Sequence, residues 1–321
     1  MPLFRSKFNA TLGIDIGPTS VKLLELSKLE KHYQVENYGN YELSQYAMDG
    51  GVISDIDHVA KSIKNMLKNM RLRVKKAIIS IPDSCTIRKI IQVSDQLAVC
   101  DIEELVLIEI DKHIPYPIHE INFDFKLLGP SIIQLGLHDL LIVASRSEYI
   151  NHRVDVLRRA GLKASIIDVD SHAIARVLQY IAPTTIGFEI AKTIAWINGE
   201  GTHITFYVFH DMKIIFSHYD VMEKYQRLTQ NQQFETVLAQ VKRLFQFFNF
   251  TYPMKVIELI VLAGDLGQHA QLASFLSVQL NRNVEIVNPF HSMRFAKNID
   301  RHSVIENASL LTTVCGLALR G

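Results

Sequence analysis

The stretch Thr11-Leu12-Gly13-Ile14-Asp15-Ile16-Gly17-Pro18-Thr19-Ser20-Val21-Lys22 decides how the rest of the chain is read. Leu12, Ile14 and Ile16 alternate with Gly13, Asp15 and Gly17, which is the period of a strand with one apolar face and one face nearly bare of side chains. A tight turn follows, and a second strand is expected from Ser20 to Ser27. Asp15 is the single carboxylate on the bare face. Gly17 lets the backbone turn and admits a close ligand. Turn amides, the hydroxyls of Thr19 and Ser20 and the Lys22 ammonium are groups that surround a phosphate, with Asp15 holding magnesium through water. A hairpin with an ordinary surface turn fits the same residues, and Pro18 removes one amide from the turn.

The bulk composition sets wide limits. A chain of 321 residues can hold two domains with real cores, and 48% hydrophobic with 21% charged residues is ordinary for a globular protein. A net charge of +1 gives no global field for nucleic acid or an anionic membrane, and the Lys and Arg residues form no stripe. Cys85, Cys100 and Cys315 have no paired spacing, which suits a reducing cytoplasm with all three buried as small apolar groups. No apolar run reaches the ~18 residues of a membrane helix. The basic start, with Phe4 and Phe8, lacks the apolar core of a signal peptide and reads as a frayed terminus or a surface contact. The thirteen histidines include no His-x-x-x-His pair, so no metal site beyond nucleotide-bound magnesium is supported.

Along the chain, Tyr33 to Tyr38 reads as a third strand, followed by a loop through Gly50-Gly51. Ser54 or Asp55 then caps a helix with Ile56, Val59, Ile63 and Met66 on one face. Lys76 to Ile81 is a buried strand stopped by Pro82. Thr86 to Val93, a helix from Asp101, strands Ile121 to Leu128 and Leu140 to Ser145, and a helix capped by Ser147 make a β-α-β-β-α unit inserted into the first domain. Ala164 to Asp170 returns to a strand, and Ser171 caps the next helix. Strands at Thr193 to Ile197, His203 to Phe209 and Lys213 to Ser217 open a second domain. It continues with an aromatic-rich helix from Phe234 to Phe250, read as core or partner contact. Leu259 to Ala263 then runs into Gly264-Asp265-Leu266-Gly267, a usual place for a nucleotide, and a last helix is expected from Ser303 to Leu319.

Taken together, these segments resemble the PilM family of type IV pilus assembly, relatives of the division protein FtsA. Besides the opening stretch, the resemblance rests on Ile114-Pro115-Tyr116-Pro117, Asp168-Val169-Asp170, Ile260-Val261-Leu262-Ala263-Gly264, Asn288-Pro289-Phe290 and Cys315-Gly316-Leu317-Ala318-Leu319-Arg320. It implies an α/β, two-lobed actin-like ATPase fold of duplicated RNase H-like domains with an inserted FtsA/PilM-type subdomain. The first domain would span residues 1–85 and 161–183, the insert 86–160, and the second domain 184–321 with 219–256 as a reduced helical subdomain. It also implies ATP or ADP with magnesium between the lobes, on Gly13, Asp15, Gly17, Thr19, Ser20, Lys22, Gly264 and Asp265. The implied partner is the cytoplasmic N-terminal peptide of the inner-membrane protein PilN, lying in a groove between the first domain and the insert. The localisation implied is cytoplasmic, at the inner membrane through that partner.

One part departs from the family pattern. The second phosphate loop should carry Asp-x-Gly, and here the stretch is Asn198-Gly199-Glu200-Gly201-Thr202. Asn198 loses the carboxylate that helps hold magnesium, and Glu200 sets a negative, bulky group where phosphate oxygens approach. A register with Gly199 and Gly201 in the turn would ease the crowding without restoring the aspartate. Asp265 is open to two readings, a ribose contact or a solvated turn residue. The expectation is a scaffold with a degenerate nucleotide site. The competing reading is an active actin-like ATPase or phosphotransferase, with Asp15 on magnesium and Asp168 or Asp170 positioning the attacking group. A third, direct membrane attachment by a C-terminal amphipathic helix, is opposed by the chain stopping at Arg320-Gly321.

Overall fold

The computed structural model describes residues 10–30, 32–44, 47–49, 51–97, 99–131, 135–185, 187–222 and 225–321. Phe4, Phe8 and Gly50 lie outside the described residues, as does the side chain of Cys100. Strand β1 (Ala10–Ile16) and strand β2 (Ser20–Leu29) form an antiparallel hairpin with Asp15 opposite Lys22. The Gly17 amide donates to the Ser20 carbonyl at 3.0 Å and closes the turn. β2 is buried on both faces: Val21 and Leu23 enter one core, Leu24 and Leu26 another. β3 (His32–Glu42) pairs antiparallel with β2, and β4 (Met48–Asp49) and β5 (Val52–Ile53) make a short ladder. Of the two expected caps for helix α1 (Ile56–Asn69), Asp55 makes the bond, accepting from the His58 amide at 2.9 Å. β6 (Lys76–Ile81) lies parallel to β1.

The chain then leaves the sheet. β7 (Thr86–Ser94), α2 (Val99–His113), β8 (Ile121–Pro130) and β9 (Leu137–Arg146) build a three-stranded antiparallel sheet with strand order β7-β9-β8. Val93, Ile102, Val106, Ile110, Leu140 and Ile142 give this unit its own core. α2 begins two residues before the expected Asp101. α3 (Ser147–Arg159) leads back, and its expected Ser147 cap is not made: Ser147 is the first helical residue, Arg146 holds the cap position, and the Ser147 hydroxyl accepts from Asn122 Nδ2 at 2.8 Å. Its buried stripe is Arg153, Val156 and Leu157. Gly161 ends it at φ +86°, where a side chain would be strained.

β10 (Lys163–Val169) joins parallel beside β6, and α4 (Asp170–Ile181) starts at Asp170. Ser171 does not cap it: its amide and hydroxyl both donate to Asp83, at 3.0 and 2.6 Å. The second half repeats the plan. It comprises β11 (Thr193–Glu200), β12 (His203–His210), β13 (Lys213–Val221), α5 (Gln230–Thr251), β14 (Leu259–Gly264), α6 (Ala270–Leu280) and β15 (Asn283–Ile286). β16 (Arg294–Phe295), α7 (Arg301–Glu306) and α8 (Thr312–Ala318) follow. The single helix expected from Ser303 to Leu319 is thus two helices. The Asn307 side-chain amide donates to the Ser303 carbonyl at 2.8 Å and the Ser309 hydroxyl to the Gly264 carbonyl at 3.0 Å, so local side-chain bonds outcompete a continuous helix.

The larger sheets have the orders β10-β6-β1-β2-β3-β16 and β13-β12-β11-β14-β15. In each, an antiparallel three-strand meander is followed by two parallel strands on its other side. α4 and α8 lie between the sheets in one core with Leu24 and Val35 from the first sheet, Trp196 and Val261 from the second, and Ile174, Val177, Val314 and Cys315 from the helices. α1 contributes to the core on the outer face of the first sheet, and α5 and α6 to that of the second. The aromatic stripe of α5 divides: Phe234 and Phe248 enter the core, while Phe250 is exposed. Cys85 and Cys315 are buried and free. Among the described residues no helix is long and apolar enough to cross a membrane.

Candidate functional site in the interlobe cleft

The turn between β1 and β2 and the turn between β11 and β12 meet across the cleft. Oε1 of Glu200 accepts from Lys22 Nζ at 2.7 Å, Ser20 Oγ at 3.1 Å and Thr19 Oγ1 at 3.3 Å. Lys22 Nζ lies 3.6 Å from Asp15 Oδ2, and its side chain is only 4% exposed. Burial pulls the Lys22 pKa down, but the Glu200 and Asp15 charges outweigh it and the net shift is upward. Burial raises the Asp15 pKa, opposed by Lys22. A Cβ on Gly17 would overlap the Glu200 carboxylate, so the bare turn leaves the room that this side chain occupies. The group that approaches belongs to the chain itself.

The expected nucleotide residues therefore separate. Asp15, Gly17, Thr19, Ser20 and Lys22 come together. Gly13 does not join them: a Cβ there would stand 2.7 Å from the Val314 carbonyl, so its bareness admits α8. The second loop is also shorter than expected. Asn198, Gly199 and Glu200 are strand residues paired with Thr205, Ile204 and His203, which excludes the register with Gly199 in the turn. Gly201, at φ +62°, and Thr202 alone make the turn. The Gly201 amide donates to Asp265 Oδ2 at 2.6 Å, and Gly264 packs against the Gly199 carbonyl. Gly264 and Asp265 thus brace the second loop from behind. Burial raises the Asp265 pKa, offset in part by that amide.

Asp170 stands in the cleft wall, where burial and then the Asp15 charge push its pKa well up. Asp168 is buried beside two arginines. Its buried carboxylate pairs with Arg176 and with Arg320 Nη1 at 2.7 Å, and Arg176 also reaches the Gly316 carbonyl at 3.2 Å. It staples α4 to the end of α8.

Three residues were missed from sequence. Asp83 accepts from Ser171 and from the Tyr207 hydroxyl at 3.2 Å, a second tie between the halves. Its place just beyond the end of a parallel strand was the available signal. Tyr207 had none, being one residue of an alternating strand. Arg153 is buried and donates to the carbonyls of Ile16 at 3.4 Å and Gly51 at 3.0 Å, fixing the backbone that enters the first turn. A charged residue on the buried stripe of α3 was its signal. Tyr207→Phe, which keeps the ring and leaves Asp83 its Ser171 bonds, is expected to cost about 1–2 kcal/mol in urea unfolding.

The cleft holds about 230 Å³ and is lined by Asp15, Asp83, Asp170, Glu200, His203 and Tyr207 among others. Small-molecule sites usually hold ~300–1,000 Å³. Among the described residues no group of three or more His, Cys, Asp or Glu is placed to hold a metal ion. Magnesium-bound nucleotide does not fit this arrangement: Asp15 is salt-bridged to Lys22, and Glu200 has taken the donors a phosphate would need.

Two sheets of like connectivity, with crossing helices between them and a cleft at their facing turns, define the two-lobed actin-like ATPase fold. A solved PilM-PilN type IV pilus biogenesis complex matches with a TM-score of 0.78 at 21% identity, over 97% of this chain and 98% of that one. The ethanolamine utilization protein EutJ from Carboxydothermus hydrogenoformans matches with a TM-score of 0.55 at 12% identity, over 97% of this chain and 90% of that one. The family described as type IV pilus assembly protein PilM matches residues 13–231 and 219–321. The chain belongs to that family.

Proposed function

We propose that this protein is a scaffold of type IV pilus assembly that docks the cytoplasmic N-terminal peptide of a PilN protein and does not turn over ATP. The observation that carries the second half is the Glu200 carboxylate on Thr19, Ser20 and Lys22, the donors that a nucleotide phosphate needs. Family membership and the likeness to a PilM solved with PilN, over nearly the full length of both chains, support the first half. The peptide would lie in a groove between the first lobe, residues 1–85 and 161–183, and the inserted unit, residues 86–160. It would bring the protein to the cytoplasmic face of the inner membrane. The second lobe, residues 184–321, would serve other pilus assembly proteins.

The test is fluorescence anisotropy with a labelled synthetic peptide of the N-terminus of the PilN from the same genome, against a scrambled control. Saturable binding of the native peptide alone is expected, and equal behaviour of the two would remove the docking role. An active ATPase is the competing reading, with Asp15 on magnesium, Lys22 at the phosphates and Asp170 at the attacking group. Steady-state ATP hydrolysis abolished by Asp15→Ala would establish it and displace the scaffold.

A further inference from the structure

Glu200 is more than an obstacle in the cleft. Its Oε1 gathers two hydroxyls and one ammonium within 2.7–3.3 Å, at a turn that Gly17 leaves bare. Hydroxyls and an ammonium converging on one oxygen beside a glycine turn are the donor set of an oxyanion site. The backbone that aims Glu200 is held on two sides, by its pairing with His203 and by the Gly201 amide on Asp265. A carboxylate tethered at this distance competes at high effective concentration with any free anion. An incoming phosphate would have to expel it into a cleft that already holds Asp15 and Asp170.

We propose that Glu200 is a built-in oxyanion ligand of the first loop. It clasps the two lobes together in the place of a phosphate, and removing its charge converts the loop into a binding site for a free phosphate group. The proposal rests on the nucleotide half of the reading above. It adds to that reading a specific site, a ligand class and a reason for closure of the lobes without any nucleotide.

The experiment is calorimetric titration of the full chain with inorganic pyrophosphate and, separately, magnesium-ATP, on the wild type, Glu200→Ala and Glu200→Gln. Each preparation is first checked for cooperative melting. The wild type is expected to bind neither probe, and both variants to bind pyrophosphate with a gain of roughly tenfold or more. The double variant Glu200→Gln with Lys22→Met is expected to lose that gain. Glu200→Gln keeps the side-chain shape, so it carries the test if the alanine variant does not fold. Folded variants that bind pyrophosphate no better than the wild type would overturn the proposal, and so would wild type that already binds it as tightly. Peptide anisotropy on the same samples separates the two readings. A gained pyrophosphate site without peptide binding sinks the docking role alone, and peptide binding without the gain sinks this inference alone.

Discussion

Lys22→Met should lower stability by about 3–5 kcal/mol near neutral pH, because it removes one partner from a buried ionic cluster and leaves the others uncompensated. The Lys22 side chain is 4% exposed, and its ammonium serves both Asp15, at 3.6 Å, and Glu200, at 2.7 Å. Against a typical total of ~5–15 kcal/mol, such a loss removes much of the margin. The pH dependence follows from Asp15. Burial already raises its folded-state pKa above the ordinary carboxylate value, and Lys22 opposes that shift. In the variant the opposition is gone, so the charged form opposes folding at all pH above a still higher folded-state pKa. The deficit relative to wild type is therefore full at neutral pH, and it shrinks as pH falls through that pKa toward the unfolded value. Adding Glu200→Gln should return part of the loss, since one buried charge then needs no partner. Urea unfolding of the single and double variants between about pH 7 and about pH 5 measures both effects. A deficit that grows on acidification would contradict the assignment.

Gly316→Ala is expected to destabilise by about 1–3 kcal/mol or more, although alanine is the better helix former by roughly 0.8–1.0 kcal/mol. The steric term wins because of what stands opposite. A Cβ on Gly316 would overlap the Ala173 carbonyl of α4, which is backbone and has no rotamer to change. α8 cannot retreat, since a Cβ on Gly13 of β1 would already meet the Val314 carbonyl at 2.7 Å. It is held between α4 and the first sheet, in the core that also receives the second sheet. A lowered melting temperature is the expected outcome, and a raised one would mean that α4 and α8 have room to separate.

Local features of the fold were legible where one residue type answered one requirement. Pro82 stopped β6, Asp55 capped α1 and the alternation from Leu12 to Ile16 made a strand. Expectations failed where a side chain preferred a distant partner to its own helix. Ser171 turned to Asp83, Ser147 to Asn122, and Ser309 to the Gly264 carbonyl, breaking the last helix. The first loop was readable because its chemistry lies within one hairpin. Glu200 was read as a misfit for phosphate, but its actual partners lie about 180 positions away, at Thr19, Ser20 and Lys22. Asp83 with Tyr207 depends likewise on how the two halves meet, which no local pattern encodes. Asp168 looked equivalent to Asp170 until Arg176 and Arg320 were placed beside it.

The seat of α8 against β1 has a consequence for synthesis. Gly13 lies in β1, and the helix that covers its bare face lies about three hundred residues later. At ~5–20 residues per second the ribosome needs roughly 15–60 s to deliver it. Through that interval the opening hairpin waits with its inner face uncovered, and β3 waits for Arg294 and Phe295 of β16 to complete its edge. The amino-terminal lobe is the first to be made and among the last to be finished. A chain released early, without α8, would leave that face open to chaperones and to aggregation.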